Sequence, residues 1–389
     1  MKLFGKSFKE MNSILVRFGE IGLKGKNRSF FERKLVNNIR TILKENEVSF
    51  DKILRISGRF IILTDDRKAI DALKYVFGIV SYSPAIMTEM DFDRIKELSL
   101  KILKEKKPEN FRISSRRLDK NLNTTSQKIN EIIGEYLVKN TNIPVNLDEP
   151  LLDIGIDLTL KNAFIFTEEF TSLGGLPVGV SGRVLCFISG GIDSPVATFL
   201  SMKRGCEAIL VHFLHDESEK RPSKIVELYE VLKRYQPDLK LILIPTSEIE
   251  REILKNIPSK YRIIILRRMF LLIANRIMEK EDAKAIVTGD NIGQVASQTL
   301  YNISVIQQAS NNLVLRPLLG YDKNEIINLA IKIGTYPISI KPYTDCCSFL
   351  LPKHPETKAR LEEILECEKN IDMKLVDKAV ERSIHVMEN

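Results

Sequence analysis

The 389-residue sequence contains no run of about 18 apolar residues, which argues against a membrane span. Its opening, MKLFGKSFKEMNS, lacks the apolar core of a secretory signal. Only five cysteines occur, without regular spacing and without a Cys-x-x-Cys pair. That argues against a disulfide framework and against a zinc or iron–sulfur site, so no metal site of the protein's own is expected. A reducing, cytoplasmic setting suits such thiols. There is no internal repeat and no low-complexity tract. Gly-Lys-Ser/Thr, which a Walker-type nucleoside triphosphatase needs, is missing from the one glycine pair that looks built for phosphate.

What is present belongs to a globular chain. Apolar residues make up 44% and charged residues 28%, and the length suits two or three domains. The net charge of +8 is uneven, at +6 for residues 1–173 and +2 for the remainder. A basic N-terminal part favours a polyanionic partner there, most naturally nucleic acid. A charged, Lys- and Glu-rich surface of the heat-adapted kind accounts for the charge equally well.

Hydrophobic periodicity divides the chain. In the first block SILVRF is strand-like, FFERKLVNNIRTILKEN has apolar residues at helical spacing, and KILRISGRFIILT alternates like a hairpin. AIDALKYVFGIV, over 69–80, reads as a closing helix. The second block runs strand SYSPAIMTEM, helix DRIKELSLKILKEKK, strand FRISSRRL, helix SQKINEIIGEYLVKN and further strands to about residue 170. LGGLPVGVSGR, with four glycines and a proline, reads as a linker. Near-continuous apolar strands (RVLCFI, EAILVHFL, KLILIPT, AIVTGD) then alternate with helices, the pattern of a parallel, doubly wound sheet. The expected organisation is α/β, with small α+β domains at 1–75 and 76–172, a linker at 173–183, and the parallel-sheet domain at 184–389.

LCFISGGIDSPVATFL places Ser-Gly-Gly-Ile-Asp-Ser-Pro between the first of those strands and a helix, at the strand end where doubly wound sheets bind ligands. Gly190 and Gly191 permit a tight turn and close approach, and backbone N–H groups of loop and helix can donate to anionic oxygens. Ser189 and Ser194 add hydroxyl donors. Pro195 suits the first helical turn, and Asp193 or Ser194 suits the N-cap. A well-capped strand-to-helix turn would explain the same residues.

SGGIDS resembles the signature of the PP-loop ATP pyrophosphatases, or adenine nucleotide alpha hydrolases, which cleave ATP between the α- and β-phosphates. TGDNIGQVASQTLYN (288–302), with Gly289, Gly293, Gln294, Ser297 and Gln298, is similar to a segment of the bacterial tRNA 4-thiouridine synthetases of the ThiI family. RFGEIGLKGKNRSFFE (17–32) resembles that family's opening motif, and FRISSRRLDKNLNTTSQKIN (111–130) its RNA-binding THUMP domain. The resemblance covers nearly the whole chain. It implies a ferredoxin-like domain, a THUMP domain and a PP-loop domain. It also implies ATP contacts at Phe187, Ile188, His212, Phe213, Arg267, Gly289 and Gln298, beside the loop residues already named. A strand-end histidine such as His212 is by itself more often a buried core residue. Arg268 adjoins Arg267, and either could face the nucleotide. Asp193 is the candidate to hold Mg²⁺ or orient pyrophosphate, since hard cations take carboxylate and phosphate oxygens.

PYTDCCSFLLPKHP holds Cys346 and Cys347, with Lys341, Lys353 and His354 nearby; reactive thiolates need such electropositive surroundings. The resemblance implies one cysteine here that forms a disulfide as sulfur moves. Alignment on the following Lys-x-Pro favours Cys347, with Cys346 as rival. Buried small hydrophobes are the ordinary reading of a cysteine pair, and it suits Cys186 and Cys206; Cys367 reads as structural or exposed. Some relatives carry a C-terminal rhodanese domain whose cysteine bears the persulfide. This chain ends at Asn389 without one, which implies a cysteine desulfurase or other persulfide or sulfide donor, or persulfide formation on Cys346 or Cys347 directly. Arg112, Arg116, Arg117 and Lys120, with Lys24, Lys26 and Arg28, are the candidate RNA contacts; few aromatics lie among them, so shape recognition is expected.

The implied reaction is ATP-dependent tRNA uracil 4-sulfurtransfer. ATP adenylates O4 of a uridine, at position 8 in the family, and sulfur displaces AMP to leave 4-thiouridine. The family tends to dimerise, so a homodimer is implied. A role in sulfur supply for the thiamine thiazole, through a small carrier protein, is implied beside it. That thiazole role as the main one, or a non-catalytic RNA-binding protein, are the other readings; no glutaminase domain supports an amidotransferase.

Overall fold

The computed structural model describes residues 11–56, 58–215, 222–343, 350 and 352–386. The chain divides into two compact units, Met1–Leu176 and Pro177–Asn389, and the division falls inside the glycine-rich stretch at 173–183.

The first unit runs β1 (Ser13–Phe18), α1 (Arg28–Glu45), β2 (Lys52–Ile56), β3 (Arg59–Leu63), α2 (Lys68–Ala72), β4 (Ile79–Glu89), α3 (Phe92–Lys106), β5 (Phe111–Arg117), α4 (Ser126–Thr141), β6 (Leu152–Leu158), β7 (Asn162–Phe166) and β8 (Phe170–Thr171). The helices form where the apolar spacing puts them. Leu35, Ile39, Ile42 and Leu43 make one buried stripe on α1, and Ile129, Ile133 and Leu137 one on α4. Asp91 and Thr125 cap α3 and α4 by accepting from backbone N–H groups of the first turn.

The two expected α+β blocks share one eight-stranded sheet, in the order β2-β3-β1-β4-β7-β6-β5, with β8 beside β4. The long strand β4 joins them. Its residues Ile79–Ala85 pair with β1, and Ile86–Glu89 pair with β7. The helix expected over 69–80 is shorter. It stops as α2 and one 3₁₀ turn, Leu73–Tyr75, because Val76 is extended and Gly78, at φ 98°, turns the chain into β4.

Inside this sheet Asp157 of β6 is fully buried, 4.0 Å from Arg17 of β1 and 3.9 Å from Arg59 of β3. Burial pushes its carboxyl upward, and the two arginines pull against that shift.

The second unit runs β9 (Arg183–Phe187), α5 (Asp193–Lys203), β10 (Glu207–Leu214), α6 (Ser223–Lys233), β11 (Lys240–Pro245), α7 (Ser247–Asn256), α8 (Arg262–Glu281), β12 (Ala285–Val287), α9 (Leu300–Gln307), β13 (Leu313–Leu315), α10 (Lys323–Ile333), α11 (Tyr336–Ser339), α12 (Leu361–Glu368), α13 (Lys374–Glu381) and β14 (Ile384–Val386). The sheet order is β13-β12-β9-β10-β11-β14. The first five strands are mutually parallel, and β14 corrects the all-parallel expectation by pairing antiparallel with β11. A three-residue strand close to the C-terminus has too little pattern to be read from sequence.

From β9 the chain crosses through α5 to β10 on one side. It reaches β12, on the other side of β9, only after β11, α7 and α8. The loops leaving β9 and β12 therefore diverge and open a crevice at their carboxyl ends. The core beneath is built on Leu185, Val211 and Ile286 of the sheet and on Ile265, Met269 and Ile273 of α8. Leu185 is fully buried in the central strand. Leu185→Ala is expected to lower stability by about 2–5 kcal/mol, through lost transfer energy plus a cavity, as read by urea denaturation of the whole chain.

Candidate nucleotide site

A cavity of about 340 Å³ opens at this switch point. Its walls bring together segments far apart in sequence: Phe187 at the end of β9, Ile188, Ser189 and Gly191 from the loop that follows, Asp193 and Ser194 from α5, and His212 and Phe213 from β10. Arg267 and Phe270 come from α8, and Thr288–Asp290 with Val295–Gln298 from the loop after β12. Every expected nucleotide contact except Gly190 lines it.

The phosphate loop is held by its two serines. The Ser194 hydroxyl accepts from the Ser189 amide at 2.9 Å, and the hydroxyls of Ser189 and Ser194 lie 3.1 Å apart. The Gly191 amide donates to the Ser189 hydroxyl at 3.3 Å. Neither Asp193 nor Ser194 is the N-cap of α5. That position falls to Ile192, with no side-chain cap bond, because the serine hydroxyl is committed to the loop and Asp193 already lies in the first turn. A helix start without a side-chain cap leaves backbone donors and the positive end of the helix dipole for an anion.

The glycines serve close approach more than backbone freedom, since neither Gly190 nor Gly191 has positive φ. A Cβ on Gly190 would lie 2.5 Å from Cδ1 of Tyr343, so the tyrosine ring packs directly on the loop. A Cβ on Gly289 would lie 2.9 Å from the Ser194 nitrogen and 3.1 Å from the Asp193 carbonyl carbon. The loop after β12 can thus lie against the start of α5 only with glycine there.

One wall is charged. Asp290, 4% exposed, accepts from Arg267, from Thr288 Oγ1 at 2.8 Å, and from Gln298 Nε2 and Arg316 Nε at 3.3 Å each. Burial opposes its charge, but Arg267, Thr288 and Arg316 outweigh burial, so its carboxyl lies below the usual carboxylate range. Arg267 also donates to Ser297 Oγ at 3.2 Å. Its neighbour Arg268 turns away from the cavity, to Glu368 and the carbonyl oxygen of Val305.

Asp193 is held from two sides, by Lys323 Nζ at 2.7 Å and Gln294 Nε2 at 3.0 Å. An aromatic cluster also lines the cavity. Phe213 and Phe270 stack at 3.8 Å, and Phe187 meets Phe213 edge-on at 5.0 Å. His212 is 2% exposed; its Nδ1 lies 2.8 Å from the Ile188 carbonyl oxygen and its Nε2 lies 3.0 Å from the Tyr343 hydroxyl.

Sequence reasoning passed over Asp290, Arg316, Phe270, Lys323 and Tyr343. Some signals were present. Asp290 lies three residues past the end of an apolar strand, Phe270 lies one helical turn beyond Arg267, and Lys323 sits inside the Asp322–Glu325 capping box that opens α10. Arg316 and Tyr343 carry no local signal.

Cys346 and Cys347 lie outside the described residues. Burial pushes the Cys186 thiol up to about 12, and it raises Cys206. Cys367 is raised by burial and by Glu363 and Glu366. None of these three has the lowered pKa of a reactive thiol.

In the first unit, Lys24 joins the two 3₁₀ turns after β1, Lys26 lies in the second, and Arg28 starts α1. Lys24 lies over the Phe31 ring at 5.1 Å, and Arg28 donates to Glu32 at 2.8 Å. Arg112 is committed to Asp153 and to the Leu147 carbonyl oxygen at 2.8 Å, with Asp153 at 2.5 Å. Arg116, Arg117 and Lys120 are exposed at the end of β5 and just after it, where Arg117 donates to the Leu122 carbonyl oxygen.

The crevice at a parallel-sheet switch point, with a serine-anchored glycine loop at a helix start without a side-chain cap, defines an α/β protein with a PP-loop nucleotide domain. Residues 179–373 match the family described as Thiamine biosynthesis protein (ThiI). Residues 13–83 match the ThiI ferredoxin-like domain, and 89–168 the THUMP domain. A probable tRNA sulfurtransferase of Halothermothrix orenii is 40% identical over 386 residues, covering 95% of this chain and 97% of that protein. Another, of Moorella thermoacetica, is 42% identical over 365 residues, covering 92% and 93%. A 4-thiouridine synthetase, solved as an RNA complex with bound ATP, has 34% identity and a TM-score of 0.86, covering 97% of this chain and 99% of that one. The chain belongs to the ThiI family.

Two outcomes follow from this geometry. Gly289→Ala is expected to push the loop off the start of α5 and weaken ATP binding at least about tenfold in calorimetry, with far-UV circular dichroism unchanged. Replacing Arg116 and Arg117 together by Ala is expected to weaken tRNA binding and to reduce the slope of log affinity against log salt by about 2. Arg112→Ala is expected to leave that slope nearly unchanged, because Asp153 already neutralises it.

Proposed function

We propose that this protein is an ATP-dependent tRNA sulfurtransferase that converts a uridine, at position 8 by family likeness, to 4-thiouridine. The observation that carries the reading is one cavity. It gathers the Ser189–Ser194 loop, Arg267, Gly289 and Gln298, in a chain that follows the fold of an ATP- and RNA-bound 4-thiouridine synthetase over nearly its whole length.

ATP is the substrate that this cavity suits. The aromatic side chains of Phe187, Phe213 and Phe270 offer the apolar surface an adenine needs. The loop amides and the start of α5 take the phosphates. Arg267, oriented by Asp290, offsets phosphate charge within the same cavity. Lys323 and Gln294 fix Asp193 beside the loop, where its carboxylate can meet Mg²⁺ on the pyrophosphate. Both Asp193 oxygens already have donors, so phosphate oxygens would supply most of the metal's ligands.

The chemistry follows from the uracil. Its O4 is a poor leaving group; attack of O4 on the α-phosphorus releases pyrophosphate and turns that oxygen into part of AMP. Sulfide adds at C4 directly and AMP departs; a persulfide adds through its outer sulfur with the same loss of AMP, and a second thiol then cleaves the S–S bond, leaving 4-thiouridine and a disulfide. Cys347, with Cys346 beside it, is the thiol assigned to carry or resolve the sulfur. The persulfide comes from a cysteine desulfurase or an equivalent donor. We assign RNA holding to the ferredoxin-like and THUMP parts, 1–75 and 76–172, linked through 173–183 to the catalytic part at 184–389, in a cytoplasmic homodimer. No described helix is long and apolar enough to cross a membrane. The family's description as a thiamine biosynthesis protein over 179–373 favours a second role, sulfur supply to a carrier protein for the thiazole.

A single-turnover reaction with Mg-ATP, an unmodified tRNA transcript and either sulfide or a persulfide donor tests the reading. 4-Thiouridine is expected in the digested RNA from both sulfur sources. Cys347→Ser is expected to abolish product with the persulfide donor and to spare it with sulfide. ATP left uncleaved in the presence of tRNA overturns the proposal.

A further inference from the structure

We propose that Glu32 builds a seat for a backbone phosphate of the RNA, by holding the guanidinium groups of Arg28 and Arg55 side by side at the surface of the first unit. The inference rests on the sulfurtransferase reading above and deepens it, adding Arg55 as a contact and Glu32 as a positioning residue.

A glutamate is seldom buried without partners. Glu32, on α1, is 2% exposed. Each of its oxygens meets an arginine from a different element. Arg28, one turn earlier on α1, donates from Nε to Oε1 at 2.8 Å. Arg55 comes from β2, and its Nη2 lies 2.6 Å from Oε2 in a close ion pair without hydrogen-bond alignment. Two further neighbours locate Arg28. Its guanidinium carbon lies 5.7 Å from the centre of the Phe18 ring, at the end of β1. Its Nη2 would be 3.5 Å from a Cβ on Gly58, in the turn between β2 and β3. Both heads still reach water, since the side chains of Arg28 and Arg55 are 37% and 53% exposed. Among the described residues, only Nε of Arg28 donates a hydrogen bond, so its two Nη groups keep their donors.

Two cations share one carboxylate, so one positive charge stays unbalanced. Guanidinium groups held this close repel each other. The carboxylate relieves that repulsion from the inside, and an anion on the outside completes the relief. A phosphodiester suits the place, with one negative charge and two free oxygens for planar N–H forks. Because the buried carboxylate aims both arginines before the RNA arrives, less freedom is lost on binding. The connection between β1 and α1 also carries Lys24 and Lys26, and this unit holds most of the chain's basic excess, which favours a polyanion over a lone ion. Such a contact fixes the position of the RNA without reading its sequence.

The test measures tRNA affinity by fluorescence anisotropy over a range of salt, with the full-length protein and an unmodified transcript. Arg55→Ala is expected to weaken binding at least about fivefold and to lower the slope of log affinity against log salt by about 1. Arg55→Lys keeps the charge and loses the fork, so affinity is expected to fall about threefold or more with the slope unchanged. Glu32→Gln separates aim from charge. It removes a negative charge, so a surface that attracts RNA only by its net charge would bind more tightly. A seat whose arginines are aimed by the carboxylate is expected to bind at least about threefold more weakly. Arg55 is half-exposed, so its variants are expected to fold, and they decide the question should Glu32→Gln unfold. Unchanged affinity and slope in Arg55→Ala, wild-type affinity in Arg55→Lys, or a folded Glu32→Gln that binds as well as wild type or better overturns the seat. Inorganic phosphate is compared with chloride at equal ionic strength in thermal melts. Stabilisation by phosphate that Arg55→Ala removes, with tRNA affinity unchanged, marks a free-phosphate site and overturns the assignment to RNA. A wild type that does not bind tRNA overturns the sulfurtransferase reading itself, and the seat with it.

Discussion

The buried carboxylate of Asp290 organises the candidate site. Four donors from three parts of the chain converge on it: Arg267 of α8, Thr288 and Gln298 around the loop after β12, and Arg316 beyond β13. Two cations against one anion leave a net positive charge inside a wall that excludes water, where its attraction for phosphate is least screened. The same carboxylate fixes the direction of the Arg267 side chain, and so the depth of the cavity at that wall. Gly289, next in the chain, can then lie against the start of α5. Loop, arginine and glutamine owe their shared geometry to this one buried ion.

Much of this was legible from local pattern. The apolar runs of β9, β10 and β11 and the Ser-Gly-Gly loop announce a parallel sheet with a phosphate site, because both follow from periodicity and turn chemistry over a few residues. The contacts that reach across the fold were not. Arg316 and Lys323 become site residues only because the strand order brings β13 and α10 toward β9. Tyr343 explains Gly190 only once the chain has returned from α11. The choice between Arg267 and Arg268 is likewise tertiary, decided by Glu368 far along the sequence accepting the second arginine. The N-cap of α5 was misplaced for a related reason. The serine that would cap it locally has a stronger use within the loop, with the Ser189 amide. The cysteines assigned to sulfur lie outside the described residues and rest on sequence.

The first unit shows the same division between local and distant causes. Its helices and hairpin follow their patterns, but one strand common to both expected blocks was not visible in a reading that closed the first block before β4. Sharing that strand carries a cost. Arg17, Arg59 and Asp157 come from strands of both blocks and meet in a largely buried part of the sheet, where Arg17 also donates to Ser83. A charge cluster there is expensive to dehydrate, and truncating one partner would strand the others. Such a cluster favours the one register in which the charges meet.

That continuous ladder turns the first unit into a gauge. From β1, whose end feeds the loop bearing Lys24, Lys26 and Arg28, hydrogen bonds run without a gap through β4, β7 and β6 to β5, which ends at Arg117. Strands cannot slip by a single residue without turning their buried side chains outward. The strand ends that lead to the two basic groups therefore keep one separation. A nucleic acid touching both is compared with a fixed length, and one whose phosphates are spaced otherwise must bend or forgo half of its contacts.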